Sequence, residues 1–115
     1  MTPAELDAAC RRSPGVTMVV QWGGAQVYKV GGRIFAVLGL GPADALSIKV
    51  SEIAYEALTA SGEARPAPYL ARAGWVRFDD LAKLDADEGR SLARDAHRLV
   101  AARLTRKARA ELGLA

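Results

Sequence analysis

Apolar residues fall along this chain in two rhythms, alternation with period two and recurrence near period 3.6, and the switches between them mark out the elements. Thr2-Pro3-Ala4-Glu5 has the form of a capping box with proline at the first helical position, where its missing N–H costs nothing. Leu6, Ala9 and Cys10 then recur at helical spacing, which predicts a helix over residues 3–12 that Ser13-Pro14-Gly15 ends. Val16 to Gln21 is β-branched and apolar, a strand, and residues 22–25 read as a loop. Residues 26–30 alternate polar and apolar, Gly31-Gly32 follows, and residues 33–39 resume a strand. Two central glycines tolerate the positive φ angles that tight hairpins require, so a β-hairpin over residues 26–39 is the strongest local signal.

Beyond the turn at residues 41–44, Ala45 to Val50 alternates again as a fourth strand. Ser51 is a good N-cap, Glu52 and Glu56 suit the first turns of a helix, and Ile53, Ala54, Ala57 and Leu58 form its expected apolar face before Gly62. Residues 63–72, with Pro66 and Pro68, exclude regular helix and central strand. A fifth strand over residues 74–78 puts Trp75 and Arg77 on one face, Val76 and Phe78 on the other. Asp79-Asp80 suits the cap of a short turn through Leu84, and Asp85 to Glu88 supplies another capping box. Leu92, Ala96, Leu99, Val100 and Leu104 then predict a helix to about residue 104, with residues 105–112 continuing or restarting it before Gly113. One α+β domain over residues 1–115 follows, an antiparallel sheet of about five strands packed against N-terminal, middle and C-terminal helices.

Charge changes this picture at one end only. The formal net charge is +3, yet residues 1–89 carry nine Lys/Arg against eleven Asp/Glu, and residues 90–115 carry seven against two. Such asymmetry fits an anionic partner, nucleic acid above all, or a solvated helix face. The longest apolar stretch, residues 34–40, is far short of the ~20 residues of a membrane span. The acidic, amphipathic N-terminus is not a signal peptide. A single cysteine fits a reducing compartment, with the cytoplasm as the default.

Signatures of catalysis are absent. His97 is the sole histidine, and without neighbouring ligands it reads as a surface or boundary residue rather than part of a zinc site. Cys10 reads as a small core residue, although Arg11 and Arg12 beside it would favour a thiolate. Gly31-Gly32 lacks the Gly-Lys-Ser/Thr of a phosphate loop. Asp79, Asp80, Asp85, Asp87 and Glu88 can bind a hard cation, but helix capping explains them more economically. Arg90, Arg94 and Arg98 form a stripe at i, i+4 and i+8, extended by Arg103, Arg106, Lys107 and Arg109. That stripe suits either a phosphate backbone or solvent. A second basic set lies on or beside strands: Lys29, Arg33, Lys49, Arg72 and Arg77. Trp75 and Tyr69 are candidates for base stacking, with core packing the competing role for the tryptophan.

Four segments in this order resemble the MmcQ/YjbR family. They are Val27 to Ala36 with its glycine turn and phenylalanine strand, Leu46 to Val50 with its lysine, Arg65 to Leu70 with Gly74-Trp75-Val76, and Ser91 to Val100. Leu92 stands where that family commonly has an aromatic, Tyr69 where histidine is common, and the stretch before Trp75 lacks the usual Lys-His. The resemblance implies a CyaY-like fold and a DNA-binding protein using two β-hairpin wings. The expectation is therefore a non-enzymatic cytoplasmic protein, monomeric by default and without cofactor, metal or membrane. Lys29, Arg33, Lys49, Arg72 and Arg77 would contact phosphates, and Trp75 and Tyr69 would stack. The alternative is a protein-interaction or small-ligand module with a pocket around Trp75, Tyr69 and Lys49. Acidic-cluster metal binding, by analogy with CyaY, is the weaker alternative.

Overall fold

A computed structural model describes residues 1–114. Helix α1 (Pro3–Arg11) opens on the expected capping box: the Thr2 hydroxyl accepts from the Glu5 N–H, and the Glu5 carboxylate accepts from the Thr2 N–H. Strands β1 (Val16–Gln21), β2 (Ala25–Val30), β3 (Arg33–Leu38) and β4 (Leu46–Lys49) follow, then helix α2 (Glu52–Ser61). The two-residue strand β5 (Arg65–Pro66), β6 (Trp75–Phe78), α3 (Ala86–Ala101) and α4 (Arg106–Glu111) complete the chain. Among the described residues, six strands form one antiparallel sheet in the order β1-β2-β3-β4-β6-β5. The sheet thus gains one strand over the expected five. Pro66 is admitted because β5 lies at the sheet edge, where a missing N–H breaks no ladder.

The β2–β3 hairpin is as read, with Gly31 and Gly32 at φ of 56° and 78° in the turn. Its tip does not project. A Cβ on Gly31 would fall 2.7 Å from the Leu104 side chain, and Leu112 also lies against it, so the C-terminal segment covers the tip. One turn upstream, the register shifts between Tyr28 and Lys29, so that Tyr28 faces Ala36 and Lys29 faces Ile34. Phe35 is the extra residue of this bulge. It is fully buried in the main core, 6.4 Å from the Tyr28 ring and 5.7 Å from His97.

That core fills the helix-covered face of the sheet with Tyr28, Val30, Leu38, Leu46, Ile48, Val76 and Phe78. Against them α3 lays Gly89, Ala93, Ala96, His97 and Val100, a face rotated from the expected one so that Leu92 and Leu99 sit only half-buried at its margin. Small side chains decide the rotation, because they let α3 approach α1 and the sheet together. Gly89 leaves the space that the Met1 thioether occupies. Two further expectations change. His97 is buried, and the inner face of α2 is Ala54, Tyr55 and Leu58, leaving Ile53 84% exposed. None of the helices is long and apolar enough to cross a membrane among the described residues.

Candidate functional site

The second face of the sheet carries no helix. Its centre is a smaller apolar cluster of Ala25, Val27, Val37, Ala67 and Trp75, with Ile34, Leu40 and Leu70 packed on it. Two loops rise around this floor. From the β1–β2 connection comes Trp22, 55% exposed, and from the loop after β5 comes Tyr69, fully exposed. Together with Trp75 they frame an apolar cleft of about 330 Å³. Trp75 and Arg77 share this face, as alternation along β6 requires.

Both rim aromatics stand in left-handed backbone, Trp22 at φ 51° and Tyr69 at φ 66°. The Tyr69 conformation has a clear origin. The Leu70 N–H donates to the Ala67 carbonyl at 3.2 Å, closing a four-residue turn with Pro68 second and Tyr69 third. Proline cannot take positive φ, so this is a type II turn, whose third position ordinarily belongs to glycine. An aromatic there costs on the order of 1 kcal/mol or more.

The same loop forms the wall of a second depression. Its residues 71–74 turn away from the cleft and, with the end of β4, the start of α2 and the end of α3, enclose a groove of about 860 Å³. Lys49, Arg72 and Arg103 bring three cations to it, opposed by Glu52 and Glu56. The Lys49 ammonium donates to the Ala73 carbonyl. Gly74 makes room for that contact, since a Cβ there would fall 2.7 Å from Nζ, and its φ of 79° also favours glycine. Lys49 and Trp75 are direct partners across β4 and β6. One cross-strand pair therefore joins the cationic groove to the apolar cleft.

The expected site residues thus separate. Tyr69 and Trp75 meet in the cleft, and Lys49 and Arg72 meet in the groove. Lys29 is a cross-strand neighbour of Ile34, a cleft residue, but Arg33 pairs with Val30 and so faces the opposite side of the ladder. Arg77 is committed elsewhere. Its side chain is only 15% exposed and its Nε lies 3.0 Å from Asp79, whose carboxylate also takes a 2.6 Å bond from Arg65. Those two arginines hold the Asp79 carboxyl below its usual range. Sequence reading missed Trp22 and the union of Arg103 with Lys49. The available signal for Trp22 was its place immediately before Gly23-Gly24.

Other candidates resolve into structure. Asp80 caps the turn at Leu81–Lys83 and Asp85 caps α3, while Asp87 pairs with Arg90. Glu88 lies near Glu63, and desolvation followed by that neighbour's charge raises its carboxyl. Among the described residues, no three His, Cys, Asp or Glu side chains converge as metal ligands. Arg94 and Arg98 pair with Asp95, giving the helix stripe a mixed, solvated character. The Cys10 thiol is buried and pushed up to about 12, chiefly by desolvation.

Residues 11–99, from the end of α1 through most of α3, match the YjbR family. The chain belongs to that family. No curated protein matches it. The stretch assigned to YjbR contains both cleft loops, the Lys49–Trp75 pair and Arg72, with Arg103 just beyond it.

Proposed function

We propose that this YjbR-family chain is a non-enzymatic DNA-binding protein that seats an unpaired base in the Trp22–Tyr69–Trp75 cleft. The phosphates beside that base lie at Lys49, Arg72 and Arg103. The observation that carries this reading is the Lys49–Trp75 cross-strand pair, which sets a cationic groove directly against an aromatic cleft. Single-stranded nucleic acid asks for that combination, a stacking platform next to a track of positive charge. The cleft's lining, one phenol and otherwise apolar side chains, suits a stacked ring, and the charge lies in the adjoining groove.

Titration with a short oligothymidine tests it. Trp22 and Trp75 fluorescence should be quenched on binding. Affinity should fall with salt along a slope of about −2 in log K against log salt, as expected for three phosphates on a single strand. A Lys49→Glu, Arg72→Glu double variant that binds as tightly as the parent would overturn the reading, as would affinity independent of salt.

A second reading keeps the cleft and changes the ligand to a small anionic aromatic molecule. The cleft volume of about 330 Å³ favours it, being at the lower end of small-molecule pockets. Binding of a mononucleotide as tight as that of the oligomer would support this reading.

A further inference from the structure

The two edges of the sheet are built in opposite ways. β5 is two residues long, contains Pro66, and is fronted by the Arg65–Asp79 ion pair. Length, proline and charge are three of the devices by which a sheet edge avoids pairing. At the other edge β1 has none of them. It runs six residues, Val16-Thr-Met-Val-Val-Gln21, without charge, proline or a bulge in its register against β2. Among the described residues, no backbone hydrogen bond outside the ladder reaches residues 16–21. Val19 and Val20 are 39% and 63% exposed, one on each face of the strand.

We propose that β1 pairs antiparallel with β1 of a second copy of this chain, with Val19 opposite Val19 across a two-fold axis. Self-pairing with the axis perpendicular to the sheet requires each residue to oppose one on the same face. The Val19-centred register meets that requirement and also matches chemistry. Met18 then opposes Val20 of the other copy and Thr17 opposes Gln21, so apolar meets apolar and polar meets polar. An uncharged strand brings no like charges together on pairing. One pair of strands buries less than the ~1,200 Å² of a standard interface, so the dimer is concentration-dependent. Both open faces end on the same side of the joined sheet, with the two clefts facing the same way.

Sedimentation velocity on the full chain, from about 10 µM to 1 mM, should show the mass rising from 12.2 kDa toward twice that value. Val20→Lys, at a position already exposed, should keep the circular dichroism spectrum and lose the association. The register is read separately by cysteine pairing. Val19→Cys should give a covalent dimer under mild oxidation, because directly opposed Cα atoms about 4.5–5.5 Å apart suit a disulfide. Thr17→Cys should not, since the two copies of residue 17 would lie more than about 13 Å apart. A monomer across the whole concentration range would overturn the proposal, as would crosslinking of Thr17→Cys in preference to Val19→Cys.

Discussion

His97 Nε2 lies 2.8 Å from the carbonyl oxygen of Pro14, joining the middle of α3 to the loop that leads into β1. A carbonyl can only accept, so Nε2 carries the proton and donates. The ring also meets Phe35 edge to face at 5.7 Å. Removing it leaves both a cavity beside Phe35 and an unsatisfied carbonyl. His97→Ala is expected to lower unfolding stability by roughly 2–4 kcal/mol, measured by urea denaturation. Oligothymidine affinity under native conditions should be unchanged, because His97 lies on the helix-covered face.

Cys10 provides a sharper chemical readout. Its thiol is fully buried and pushed up to about 12, first by desolvation and then by the Asp7 carboxylate, with Arg11 opposing. At pH 8 the native protein should therefore hold almost no thiolate. Labelling by iodoacetamide should proceed only as fast as the chain opens and should accelerate through the urea transition. Rapid labelling of the native protein would contradict this environment.

His97 and Cys10 also show how far the sequence could be read. Cys10 was legible because helical spacing placed it beside Leu6 and Ala9. His97 was not, since a lone histidine among arginines gives no sign of the carbonyl that it satisfies 83 positions away in the chain. The hairpin was legible because Gly31-Gly32 states its own backbone requirement. Its covering by Leu104 and Leu112 was hidden, because that contact depends on where the chain's last segment returns. Tyr69 and Trp75 stood out in the sequence as exposed-loop and strand aromatics, yet the cleft they share also depends on Trp22, which loop geometry alone brings to them. Arg33 and Lys29 looked like a pair flanking a turn until strand alternation put them on opposite faces.

Glu88 should make the protein more stable in mild acid than its other carboxylates would. Desolvation first, then the neighbouring Glu63, then Asp85, raise its carboxyl in the folded state. A raised folded value contributes stability that is present in full below the unfolded value and lost as pH rises through the folded one. Glu88→Gln is thus expected to raise the melting temperature at pH 7, and the gain should vanish below about pH 4. Asp79 carries the opposite sign. Its carboxyl is held low by Arg65 and Arg77, so its contribution is present at neutral pH and lost as pH falls through that depressed value.

Within the groove, Glu56 opposes the charge of Lys49, Arg72 and Arg103. Glu56→Gln should therefore strengthen oligothymidine binding by about two- to five-fold at 50 mM salt, the size expected of one exposed charge interaction. The gain should shrink toward unity at 500 mM salt as screening takes over. An unchanged affinity at low salt would place the phosphates away from the groove.

Tyr69 separates stability from binding most cleanly. It occupies the third position of a type II turn at φ 66°, and its ring is fully exposed, so it packs against nothing that compensates its strain. Tyr69→Gly relieves a strain of order 1–2 kcal/mol and adds back about 0.5–1 kcal/mol of unfolded-chain entropy. The net expectation is a gain between about zero and about 1.5 kcal/mol in urea denaturation. Loss of the ring removes one stacking surface from the cleft, which should weaken oligothymidine binding by about five-fold or more. Tyr69→Asn supplies the control, since asparagine tolerates left-handed backbone but cannot stack. It should match glycine in lost affinity. If both variants bind like the parent, the tyrosine in this glycine position serves something other than base stacking.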